Sequence, residues 1–142
     1  MPTSAVSTFG YGRVDPWRDA DDAAVRLVNL KASTVFAAGT LVGEITASPG
    51  VYGPYATANS DGTQNPVGIL QYACATDASG NITFGSVAGT SEWGNTSKAA
   101  PIYISGIFRT EDLTGLDSGA VTKLGRLVQG TTTSGEFIMY GS

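Results

Sequence analysis

The sequence predicts a mostly β domain, a β-rich α+β fold with one short helix and a flexible N-terminal arm. Three observations lead to that class. Charged residues make up only 14% of the 142 residues, against roughly 25% in an ordinary soluble domain. Nineteen are glycine. The apolar residues fall into short runs bounded by turn pairs, with no long stretch at helical period. At 14.5 kDa this is one domain, large enough to bury a core without covalent staples.

Residues 1–24 read as an arm and 25–142 as the β-rich domain. Met1 to Gly12 is small and polar, and Pro2 and Pro16 interrupt any helix or central strand. Asp19, Asp21 and Asp22 cluster with Arg13, Asp15 and Arg18. Such a segment has little from which to build its own core. It nevertheless holds Val6, Phe9, Tyr11, Val14 and Trp17, apolar groups that an inert tail rarely carries. Two readings follow: an arm folded back on its own domain, or one that becomes ordered on a partner.

From Val25 the chain turns apolar. VRLVNL and STVF carry β-branched strand signals, and a strand is expected over Thr40 to Thr46. Pro49-Gly50 and Gly53-Pro54 mark turns around Val51 and Tyr52. Asp61-Gly62 is a turn pair that tolerates positive φ, and Pro66 opens a strand expected to run from Val67 to Thr76. Asp77 to Gly80 then turns the chain into Asn81 to Phe84, a hairpin. Residues 85–99 read as loop, with Trp93 the one large apolar side chain. Ile102, Ile104 and Phe108 alternate with polar residues, and Gly106 on their apolar face predicts a bend or a close backbone approach. Thr110 to Leu113 is expected to add one turn of helix. The main helix follows Leu116, with Asp117 as its cap and Gly125 as its terminator. Arg126 to Gln129, a turn, and a strand from Glu136 to Tyr140 close the chain.

The same residues exclude most chemistry. There is no histidine, so the usual Ser–His and Cys–His pairs and His-bearing zinc sites are ruled out. Cys74, inside an apolar strand without basic neighbours, reads as a buried and inert thiol. Being the only cysteine, it forms no internal disulfide. Glu111 and Asp112 read as a helix start with a local ion pair to Arg109. The aspartates at 19, 21 and 22 lack the glycine and the closing glutamate of a twelve-residue calcium loop. No catalytic residue, cofactor site or metal site is expected.

The net charge is −4, and no basic residue lies between Lys31 and Lys98. Direct nucleic-acid binding needs clustered Lys and Arg, so it is not expected. From Ile45 to Ser91 the charges are Asp61 and Asp77 alone, which reads as a surface that packs against protein. The N-terminus lacks the pattern of a signal peptide, and no apolar run reaches the ~18 residues needed to span a bilayer. Synthesis in a reducing cytoplasm and no membrane partner are the expectations.

Two segments carry a resemblance. Asp61-Gly62 precedes Val67-Gly68-Ile69-Leu70, and Ser105-Gly106-Ile107-Phe108-Arg109 precedes Glu111-Asp112. In that order, from about Gly39 to Tyr140, the chain resembles the lambda D-like head decoration proteins of bacteriophages. The resemblance implies a homotrimer on the exterior of the virion capsid, at three-fold positions, stabilising the expanded head. It also implies the major capsid protein as partner and a capsid-binding arm, here Val6, Phe9, Tyr11, Val14 and Trp17. The rival reading is a carbohydrate- or receptor-binding β-module, with Trp17, Tyr52, Tyr55 and Trp93 stacking on sugar rings.

Overall fold

A computed structural model of the chain describes residues 24–84 and 96–140. Its strands begin with β1 (Val25–Leu30), β2 (Val35–Phe36), β3 (Leu41–Glu44), β4 (Val51–Pro54), β5 (Pro66–Leu70) and β6 (Cys74–Thr76). Next come β7 (Ile82–Phe84), β8 (Thr96–Ser97), β9 (Ala100–Tyr103) and β10 (Gly106–Arg109). A 3-10 turn at Thr110–Asp112, helix α1 (Ser118–Leu124), β11 (Gly125–Gly130) and β12 (Gly135–Met139) complete the order.

Five strands close into a barrel in the order β1-β4-β3-β5-β9. The β1–β4 pair is parallel, and the other barrel pairs are antiparallel. β10, β12 and β11 form a three-stranded sheet, and β2, β6, β7 and β8 a four-stranded one. The β-rich class with one short helix is therefore what the chain adopts.

The wall β3-β5-β9 explains why its sequences read as continuous apolar runs. Leu41, Ile69 and Tyr103 are register partners. They pack in one cluster with Phe108, Ala120, Leu124, Phe137 and Met139, from the small sheet and the helix. Their chain neighbours Val42, Leu70 and Ile102 point the other way, into a second cluster with Val28, Leu30, Tyr52 and Phe36. Both faces of the wall are covered, so the polar–apolar alternation of a half-solvated strand disappears.

Two expected strands are each broken. Val67 to Thr76 splits after Leu70. The Leu70 amide donates to Thr40 O, and its carbonyl accepts from Gly39 N. Beyond it, Cys74 and Ala75 pair with Phe36 and Val35 in a different sheet. Likewise the run from Ala100 to Arg109 divides at the expected bend, where Gly106 has φ 139°. The expected turns around Val51 and Tyr52 enclose a barrel strand of their own, β4.

The helix begins as its sequence predicts, with Asp117 accepting from the Ala120 amide. It ends at Gly125 for a different reason than a left-handed cap. The φ of Gly125 is 175°, open to any residue, but a Cβ there would lie 1.9 Å from the Ile138 carbonyl oxygen. Glycine at 125 lets β11 leave the helix directly against β12.

Candidate functional site

The side chains with chemical potential are placed structurally. Cys74 is fully buried on β6, and burial pushes its thiol up to about 12. Arg109 pairs with Glu111 on the 3-10 turn, the local ion pair the sequence predicts. Tyr52 is buried among the barrel residues, its hydroxyl accepting from Arg26 Nη2 at 2.9 Å. Tyr55 is buried in the cluster of Leu41, Ile69 and Phe108. Neither offers a ring face for stacking, which corrects the sugar-binding role proposed for them. Trp17 and Trp93, the other two members of that set, lie outside the described residues. Among the described residues no group of three acidic, cysteine or histidine side chains is placed to hold a metal ion.

The Asp61-Gly62 turn has a positioning role. Asp61 Oδ1 accepts from the Thr63 hydroxyl at 2.5 Å and from the Thr63 amide at 3.1 Å. These two donors hold the Asp61 carboxyl below the ordinary carboxylate range. The turn lies directly on the end of β3: a Cβ on Gly62, at φ 108°, would meet Glu44 O at 2.4 Å. The Thr46 amide donates to Asp61 O. The motif thus fixes how β5 enters the barrel wall.

A second polar assembly ties the helix to the barrel. One oxygen of Asp117 accepts from the Tyr55 hydroxyl at 2.7 Å and the Ala120 amide at 2.8 Å. The other accepts from the Thr57 hydroxyl at 2.9 Å. One open surface depression, about 400 Å³, is lined by Arg109, Glu111, Gln129, Gly130, Ser134, Gly135 and Glu136.

What remains is surface. The described chain begins at Ala24, whose carbonyl accepts from Ile104 N at 2.9 Å and whose amide donates to Ser105 Oγ at 3.0 Å. The root of β1 is thereby pinned at the bend between β9 and β10. Val25 and Leu27 follow, 50% and 68% exposed. The proposed arm residues Val6, Phe9, Tyr11, Val14 and Trp17 lie outside the described residues.

The exposed face of β1 was not singled out in the sequence, although a signal existed. VRLVNL is apolar at Val25 and Leu27 as well as at Val28 and Leu30, so apolar groups fall on both faces of one strand. The neutral stretch from Ile45 to Ser91 turns out differently from its reading as a packing surface. Tyr52, Tyr55, Ile69, Leu70, Cys74 and Ile82 are all buried in the chain's own core. The large exposed apolar side chains among the described residues are Val25, Leu27, Val35, Val128 and Tyr140, all outside it.

The Asp-Gly turn feeding a barrel strand agrees with comparison to known families. The sequence profile of the bacteriophage lambda head decoration protein D family matches residues 17–91. That match takes in Trp17 and the turn and strand from Asp61 to Tyr72, while the segment from Ala100 to Leu113 lies beyond it. No curated protein and no solved structure matches the chain significantly. Because the profile covers more than half of the 142 residues, the chain belongs to the bacteriophage lambda head decoration protein D family, whose members are structural proteins of the phage head.

Proposed function

We propose that this head decoration protein binds the exterior of the expanded capsid as a homotrimer at three-fold positions, contacts the major capsid protein, and stabilises the shell against the pressure of packaged DNA. Membership of the family is the observation that carries the reading. Several physical arguments support it. A ligand that binds the expanded shell and not its competitors stabilises that state by mass action. An arm that adds a strand to the capsid gains main-chain hydrogen bonds with little demand on sequence. Three arms on one trimer raise the effective concentration of the second and third contacts. The chain does no catalysis on this reading, is made in the host cytoplasm, and needs no cofactor.

The arm, residues 1–24, is the proposed grip, with Val6, Phe9, Tyr11, Val14 and Trp17 as its apolar anchors. The test is to mix expanded heads with full-length protein and with protein lacking residues 1–22, and to measure occupancy. β1 begins at Val25, so the shortened chain keeps every described strand and is expected to fold with an unchanged number of chains per assembly. Its occupancy should drop sharply. Trp17→Ala should weaken binding more than Asp21→Asn, because a buried aromatic anchor outweighs an exposed charge. Full occupancy without the arm would move attachment to the folded domain.

A further inference from the structure

β1 departs from what a barrel strand with a solvated outer face normally carries. Such a strand alternates apolar inward and polar outward. Val28 and Leu30 obey the rule and are buried in the barrel cluster. Arg26, on their face, reaches Tyr52. On the other face stand Val25, 50% exposed, and Leu27, the most exposed of the large apolar side chains in the described residues. They are two residues apart, roughly 7 Å along the strand. The register partner of Leu27 is Pro101, half-buried and uncharged.

Along Val25 to Val28 β1 pairs with β9, and it pairs with β4 at Asn29 and Leu30. The side chains of Val25 and Leu27 stand off the strand into solvent, where a partner meets them by apolar burial. The place of β1 in the chain indicates what meets it. Residues 1–23 join the described chain at Ala24, one position before Val25. That junction is fixed to the β9–β10 bend by the Ile104 and Ser105 hydrogen bonds. A surface gripped by those residues is brought against this strand.

We infer that the outer face of β1, Val25 and Leu27, is a side-chain docking surface for the capsid shell, taking an uncharged aliphatic or aromatic patch of the major capsid protein beside the arm. The inference rests on the head-binding reading above. It adds to the strand-pairing arm a second contact, made by the folded domain through apolar burial.

The experiment uses the full chain and expanded heads. Leu27→Asp, and the milder Val25→Ser/Leu27→Ser pair, are compared with wild type for head occupancy, for solution mass by light scattering and for thermal unfolding. Val35→Asp is the control, because Val35 is 58% exposed but lies on β2 in the other sheet. Both β1 variants should keep wild-type mass and unfolding while their binding weakens roughly tenfold or more, as for loss of a central apolar contact. Val35→Asp should bind as wild type. Undiminished binding by Leu27→Asp overturns the inference, and so does an equal loss with Val35→Asp. A fall of the β1 variants to lower mass also overturns it, assigning the face to a second copy of the chain. Wild-type protein that leaves heads bare refutes the head-binding reading itself, and this one with it.

Discussion

Asp117 joins three parts of the chain through one carboxylate: the first turn of α1, the Tyr55 hydroxyl and the Thr57 hydroxyl. Burial pushes its pKa up, but the Ala120 and Gly119 amides and the two hydroxyls together hold it below the ordinary value. A carboxyl held below its unfolded pKa contributes stability that is fully present above about pH 4 and is lost as pH falls through the folded value. Asp117→Ala removes a helix cap and leaves the buried Tyr55 hydroxyl with one acceptor fewer. It should cost roughly 1–2 kcal/mol at neutral pH. The gap from wild type should narrow as pH falls from about 4 through the folded value, where the wild-type carboxylate is protonated too; urea unfolding at pH 7 and pH 3 reads both. A gap that stays constant between the two would contradict the linkage. The capping role of Asp117 was legible in the sequence because it depends on neighbours three residues away. Its link to Tyr55 was not, since that partner is brought in by the barrel.

Among the elements, local turn chemistry was legible and sheet membership was not. The hairpin around Asp77 to Gly80 forms as its residues require, with Cys74, Ala75 and Thr76 facing Phe84, Thr83 and Ile82. The division between β5 and β6 could not be read, because both halves are buried and no polar residue of turn type marks where the chain changes sheets. Gly125 shows the same limit: its need for glycine comes from Ile138, thirteen positions on, and not from helix termination. Gly125→Ala should therefore cost near the top of the roughly 1–3 kcal/mol typical of overpacking. Gly80→Ala, at φ 84° with nothing within 4 Å, meets only backbone strain, about 1 kcal/mol. Denaturant midpoints rank the two, and a larger loss at Gly80 would show that the β11–β12 contact yields easily.

For the whole molecule, the proposed assembly predicts a light-scattering mass three times that of the 14.5 kDa chain at micromolar concentration; a single-chain mass would count against it. The neutral middle of the sequence is not an exposed packing surface, since its large apolar residues among those described fill the core. Exposed Leu27, on the face assigned above to the capsid, could not be distinguished in a short window from core residues on the same strand. Closure of the barrel has one more consequence, and it is mechanical. A pull applied at Ala24 along β1 acts on a strand held by β9 from Val25 to Val28 and by β4 at Asn29 and Leu30, so it loads those hydrogen bonds together in shear instead of peeling them one at a time. Resistance to such a pull is set by the rate of forced unfolding, and a strand in the middle of a ring yields more slowly than one at a margin. The tether point of the proposed arm is thus placed where a pull meets the strand lengthwise.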